Sequence, residues 1–176
     1  NYDPLGNPTE KSVTTENIIY INEQQLTSSR IVMRYSISSE NEEIFDGKEV
    51  TEYEFDSLGQ TIKITATTYN SSNEITLTVI DNMEYFENGN PYTQKNTVYD
   101  GLGRITTESF YEYDENYQQI RYDYTHVFIF NADGTPSIAT YTNSIKTDEG
   151  YVETEKSIAD DRIESLLVRN YDLYYT

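Results

Sequence analysis

From Ile18 onward, runs rich in Ile, Val, Thr, Tyr and Phe alternate with short clusters of Asp, Asn, Gly and Ser, and within several runs the apolar residues fall at every second position. Period-two alternation bounded by turn formers is the mark of half-buried strands joined antiparallel by tight turns. The predicted strands are Ile18–Ile21, Arg30–Ile37, Lys48–Phe55, Thr61–Tyr69, Glu74–Ile80, Met83–Phe86, Tyr92–Tyr99, Arg104–Tyr113, Gln119–Phe130 and Ser137–Thr142, followed by Tyr151–Ile158 and Arg162–Leu173. Ile62, Ile64 and Ala66 oppose Lys63, Thr65 and Thr67, and Ile75, Leu77 and Val79 oppose Thr76 and Thr78, so one buried and one wet face are expected there. Tyr122, Tyr124, His126, Phe128 and Phe130 form an aromatic row with Val127 and Ile129 behind it, which calls for a covering second layer or leaves the row exposed. Residues 1–17 contain two prolines and little apolar periodicity and read as a flexible N-terminal arm, with 18–176 as the sheet domain.

A strand-length spacing also recurs. A polar or basic residue is followed, after eight residues, by an aromatic and then at once by Asp or Asn: Gln60 to Tyr69-Asn70, Asn90 to Tyr99-Asp100, Arg104 to Tyr113-Asp114, Arg121 to Phe130-Asn131 and Arg162 to Tyr171-Asp172. Repetition at a fixed offset means that one supersecondary unit is reused, each copy burying apolar surface against the next. Asp56-Ser57-Leu58-Gly59, Asp100-Gly101-Leu102-Gly103 and Asn131-Ala132-Asp133-Gly134 supply the turns, with Gly where a positive φ is cheap and Asp or Asn where a side chain can bond nearby amides. Ala159–Asn170 admits a helix capped by Asp160 or Asp161, with Ile163, Leu166 and Leu167 at helical offsets; the repeat spacing reads it as a strand. The fold class that follows is all-β: an antiparallel β-meander of about ten to twelve strands, twisted and partly rolled into a single sheet or open barrel.

Composition narrows the functional classes. The formal charge is −19, from 31 acidic and 12 basic side chains, which opposes the phosphate neutralisation needed for nucleic acid and disfavours anionic membranes. Eighteen Tyr and six Phe within 36% apolar residues imply a thin, tyrosine-rich core in one domain of 176 residues. With no Cys there is no disulfide, thiolate metal site or cysteine nucleophile. No run of 18 apolar residues is present, so no transmembrane segment is expected, and a start at Asn1 rather than Met is compatible with a removed leader.

Tyr2-Asp3-Pro4-Leu5-Gly6-Asn7, Phe55-Asp56-Ser57-Leu58-Gly59-Gln60 and above all Tyr99-Asp100-Gly101-Leu102-Gly103-Arg104-Ile105 resemble the YD repeat of bacterial Rhs-type proteins, in which Tyr-Asp and two further residues precede Gly-Arg-Leu or Gly-Arg-Ile. The match at Tyr99–Ile105 is full; Gly59 is followed by Gln60, and no Gly follows Tyr113-Asp114. Physically the motif is a hairpin corner: an aromatic ends a strand, Asp starts a turn, Gly takes the left-handed position, and a long basic residue opens the return strand. The resemblance implies a small Bacteroidetes-type YD-repeat protein, extracytoplasmic, either secreted, periplasmic or held at the outer membrane by a lipid anchor in the precursor. It also implies a surface module contacting carbohydrate or another cell; the departures from consensus count against cargo encapsulation and self-cleavage.

Candidate chemistry is sparse. His126 is the only imidazole and lies in the aromatic row, no serine sits in a nucleophile elbow, and Gly101-Leu102-Gly103 is not a phosphate loop. The best ligand-binding candidates are Tyr111, Tyr113, Tyr122, Tyr124 and His126, whose rings can stack on sugar faces or partner side chains. Asp114, Asn131 and Asp133 belong to oxygen-rich clusters that are the candidates for Ca²⁺; otherwise no cofactor is expected. The expected function is therefore a non-catalytic secreted or cell-surface β-scaffold binding a protein or a glycan. The alternatives are a carbohydrate-active enzyme with paired carboxylates and a Ca²⁺-dependent adhesion module.

Overall fold

The computed structural model describes residues 9–38, 40, 42–148, 150–159 and 162–172. These form β1 (Glu10–Ile21), β2 (Gln24–Ile37), β3 (Glu43–Phe55), β4 (Thr61–Asn70), β5 (Ile75–Tyr85), β6 (Pro91–Asp100), β7 (Ile105–Tyr113), β8 (Gln119–Phe130), β9 (Pro136–Thr147), β10 (Gly150–Ala159) and β11 (Arg162–Asp172). All eleven lie in one sheet in strand order β1 through β11, each next to its neighbour in sequence, and the order is open rather than closed into a barrel. The expected all-β antiparallel meander is present. Contacts divide it into one unit running up to Ile80 and including Asp100–Gly103, and a second comprising Asp81–Tyr99 with the strands after Arg104.

Two sequence expectations change, and one open alternative is decided. Of the expected arm over 1–17, residues 1–8, with the Tyr2-Asp3 motif, lie outside the described residues, whereas Glu10–Asn17 pair with Ser29–Ser36 as the first half of β1. A polar strand suffices there because backbone groups, not side chains, make the ladder. The strands expected at Glu74–Ile80 and Met83–Phe86 are one strand, β5. Asp81 spends its carboxylate on the side-chain amide of Gln94 (2.9 and 3.2 Å) instead of starting a turn. Residues 162–172 pair with β10 as a strand, so the helical reading falls; Asp160 and Asp161 are outside the described residues.

The junctions at Phe55-Asp56, Tyr69-Asn70, Tyr99-Asp100, Tyr113-Asp114 and Phe130-Asn131 stand at strand ends, whereas Tyr171-Asp172 pairs within β11 and the residues after it lie outside those described. The Asp56 amide donates to Gln60 O and Gly59 N donates to Asp56 O, while Asp56 Oδ1 accepts from the amides of Leu58 (2.8 Å) and Gln60 (2.9 Å). The same set recurs at Asn70, with Ser72 and Glu74, and at Asp114, with Asn116 and Gln118. This is a type I turn closed by a left-handed residue, one of the common hairpin loops. The third residue after the Asp or Asn takes φ 86° at Gly59, 77° at Gly103 and 86° at Gly134, but also 61° at Asn73 and 60° at Tyr117. The sixth residue after the corner is an extra one in the return strand. Ile62, Thr106, Ile120 and Ser137 are each skipped in the pairing of β3–β4, β6–β7, β7–β8 and β8–β9. Such a bulge leaves a carbonyl without its ladder partner; at Thr106 the side-chain hydroxyl takes that role, donating to Val98 O at 3.2 Å.

Burial differs from the alternation in sequence. All ten residues of β4 are half-buried, and Ile75 and Leu77 are exposed, so the expected buried and wet faces of β4 and β5 do not separate. Among the described residues the only buried apolar side chains are Val127 and Ala139, cross-strand partners on β8 and β9, joined by the small polar Thr51, Thr97, Ser109 and Ser137. The tyrosines do not make a core. In a single sheet a side chain is shielded only by its lateral neighbours, which can cover a small residue but not a large ring.

Candidate functional site

Strands β7 and β8 carry the aromatic candidates on one side. Tyr111 and Tyr122 are cross-strand partners with ring centroids 4.8 Å apart. Along β7, Tyr113 follows at 6.4 Å with its plane within 12° of that of Tyr111, and along β8, Tyr124 follows Tyr122 at 6.2 Å and His126 follows Tyr124 at 6.4 Å. Phe128 meets the His126 ring edge-on at 4.4 Å. Tyr117, from the β7–β8 corner, adds its ring to Tyr113 at 4.9 Å. The strand repeat of about 6.6–6.8 Å per two residues sets the spacing along each strand. All five predicted binding residues thus lie in one ladder, half-buried, with Phe128 exposed at its end.

The row does not continue as the sequence suggested. The pairing of β8 with β9 shifts between Val127 and Ile129 and again before Phe130, which breaks the alternation. Phe130 instead lies under the Arg104 guanidinium at 4.3 Å.

The polar surroundings are specific. Desolvation raises the Tyr113 phenol above its usual value, helped in turn by Tyr117, Tyr111 and, least, Asp81. Burial also raises the Asp81 carboxyl above its usual range, against the opposing effect of Gln94. The Tyr122 phenol is pushed up to about 12, first by desolvation and then by Tyr111, through charge and a hydrogen bond, and by Tyr124. His126 Nδ1 lies 3.0 Å from the hydroxyl of Thr107, its partner on β7. The imidazole is thereby positioned by a hydroxyl and packed between rings.

Tyr117, Asp81, Gln94 and Thr107 were missed from sequence. Tyr117 alone left a signal, since it stands where the fully matched corner has Gly. Asp81 and Gln94 reach the ladder through strand pairing, which no local motif encodes.

The Ca²⁺ candidates are not brought together. Asp114 lies before β8, and Asn131 and Asp133 lie after it, with the whole of Gln119–Phe130 between. Their oxygens are already engaged: Asp133 Oδ1 accepts from the amide and hydroxyl of Thr135 (3.0 and 2.7 Å), which holds its pKa below the usual value. Among the described residues no three His, Cys, Asp or Glu side chains are grouped to hold a metal. An open cleft of about 310 Å³ is lined by Phe86, Glu87, Asn88 and Glu115, and one of about 580 Å³ includes Lys11, Arg34, Tyr35 and Asp46. Neither contains a ladder residue. No helix among the described residues is long and apolar enough to cross a membrane.

An acidic, all-β meander with an open aromatic side is the class of protein these observations define. No family model matches the chain, and no curated protein matches it.

Proposed function

We propose that this chain is a non-catalytic β-scaffold of the YD-repeat kind, secreted or at the cell surface, that presents the aromatic side of β7–β8 to a protein or glycan partner. The observation that carries this reading is the half-exposed ladder Tyr111, Tyr113, Tyr122, Tyr124 and His126, on a sheet whose only buried apolar residues, among those described, are Val127 and Ala139, at the alternate positions of β8 and β9 that face the other side. Large rings standing on a sheet with no second layer among the described residues offer stacking surface for partner side chains or sugars, with phenol hydroxyls at the rim for hydrogen bonds. The extracytoplasmic location follows from the resemblance of the corners to the YD motif.

Two features favour binding over hydrolysis. The carboxylates lining the 310 Å³ cleft, Glu87 and Glu115, stand on exposed turns, not in the desolvated setting that readies a general acid. The single histidine is packed between Tyr124 and Phe128.

Array binding to glycans and peptides tests the reading. The Tyr122→Ala/Tyr124→Ala double variant, with its strand content verified by circular dichroism, is expected to lose about tenfold or more of the signal given by wild type. Equal signals, or no signal from either protein, would remove the proposal.

A further inference from the structure

The chain repeatedly places its own cations over its own rings. Lys11 lies 5.8 Å from the centroid of Tyr35, Lys48 4.5 Å from Tyr69, Arg104 4.3 Å from Phe130, Arg121 5.5 Å from Phe110 and Lys156 5.4 Å from Tyr141. On the ladder the situation is inverted. Among the described residues no Lys or Arg stands over Tyr111, Tyr113, Tyr117, Tyr122 or Tyr124; the nearest cation along β9, Lys146, is two residues from the Tyr122 partner Ser144 and bonds the Gln118 side chain at 2.9 Å.

Asp81 faces Tyr113. On the other flank, pairing through Ser144 and Thr142 of β9 sets Glu153 and Glu155 of β10 in line with Tyr122 and Tyr124. Arg169 of β11 reaches both (2.8 and 3.6 Å). Near-parallel rings whose centroids stand 6.2–6.4 Å apart only partly cover each other, because direct contact between carbon atoms is made at about 3.5–4 Å; the closer contacts are Tyr122 on Tyr111 at 4.8 Å and Tyr117 on Tyr113 at 4.9 Å. The negative faces of the rings, the adjacent carboxylates and a chain charge of −19 all favour a positive occupant.

We propose that the ladder is the docking surface for an extended, basic segment of a protein partner, with Lys or Arg at alternate positions stacking on successive rings. This rests on the reading of the ladder as a binding surface and specifies its ligand. The alternation follows from geometry: side chains on one side of an extended peptide recur about every 6.6–6.8 Å, close to the 6.2–6.4 Å between rings along β7 and β8. A planar guanidinium stacks more broadly than an ammonium, so Arg is preferred to Lys.

Fluorescence anisotropy with labelled peptides at about 0.15 M salt, where distant charges are screened, tests this. An Arg-Thr-Arg-Thr-Arg peptide is expected to bind at least about tenfold more tightly than its Gln-for-Arg counterpart. It should also bind several-fold more tightly than Arg-Arg-Arg-Thr-Thr, which has equal charge and the wrong spacing. Tyr111→Leu/Tyr122→Leu should weaken binding about tenfold, whereas Tyr122→Phe, which keeps the ring, should stay within about twofold. Tyr141→Leu removes a ring already covered by Lys156 at unchanged net charge, and should also stay within about twofold. Equal affinity for the two Arg peptides, or equal losses in the ladder and Tyr141 variants, would mean bulk attraction and overturn the proposal. If the peptides fail while array binding still depends on Tyr122 and Tyr124, the basic ligand is refuted and the binding surface stands; if both fail, both fall.

Discussion

The two sides of β7–β9 use the same residue types to opposite ends. On the side away from the ladder, Arg121 lies 5.5 Å from the Phe110 ring and 2.6 Å from Asp123, Asn143 hydrogen-bonds Asp123, and Lys95 pairs with Glu108 at 2.9 Å. Rings, cations and carboxylates there satisfy one another. On the ladder side, rings meet rings, and a carboxylate partner, Asp81, has a neutral amide rather than a cation bonded to it. Cations cover rings on the first side, whereas among the described residues none stands over the tyrosines of the second.

Substitutions should separate the two, and the largest effect is expected at the buried residue pair. Ala139 is 1% exposed and opposes Val127, so Ala139→Asp would bury a charge without a partner and cost at least about 3 kcal/mol in urea unfolding. A shift below about 1 kcal/mol would mean that this position opens easily to water. Next comes Arg121→Met, which takes a cation from both Phe110 and Asp123 and should cost about 1 kcal/mol, the pair being partly exposed. Phe128→Thr, at a ladder residue 58% exposed, should stay within about 0.5 kcal/mol. Comparable losses in these two variants would show the ladder to be structural and erase the contrast.

Smaller effects appear as pH dependence. Tyr122 has a folded-state pKa of about 12 against an ordinary value of 10, so its contribution to stability is complete below pH 10 and is lost as pH rises through about 12. Tyr122→Phe should remove that part of the alkaline loss, visible as a flatter stability profile between pH 10 and 12. Asp81 shows the same direction on the acid side. Its raised pKa means that the unfolded chain gives up the proton first, so stability falls as pH rises above 3.8 through the folded-state value. Asp81→Asn should therefore melt higher than wild type at pH 7 and lose that advantage below pH 3.8. Greater stability joined to weaker peptide binding would mark Asp81 as a group kept for binding at a cost in stability.

What the sequence discloses is the local chemistry of corners. Phe55-Asp56, Tyr69-Asn70, Tyr99-Asp100 and Tyr113-Asp114 end their strands because an acid or amide there can cap the following amides, a purely short-range property; at Phe130-Asn131 it is Asp133, two residues on, that accepts from the Thr135 amide. The ladder was legible for a related reason: alternate positions along β7 and β8 share a side, which brings Tyr111, Tyr113, Tyr122, Tyr124 and His126 together once the strands pair. What stayed hidden depends on partners. Asp81-Asn82 has the composition of a turn, yet the Gln94 amide accommodates Asp81 within a strand. The bulges at Ile62, Thr106, Ile120 and Ser137 have no common residue type, so only pairing reveals them. The absence of a core followed from the lack of a second layer among the described residues, which alternation alone does not decide.

The strand order β1 to β11 has a kinetic consequence. Each hairpin can close over a short loop and serve as template for the next, so assembly proceeds as a zipper that starts at whichever corner forms first, with little entropy spent on joining distant segments. Deleting the terminal strand β11 should therefore forfeit its single ladder with β10 and leave the folding rate of the remaining hairpins nearly unchanged.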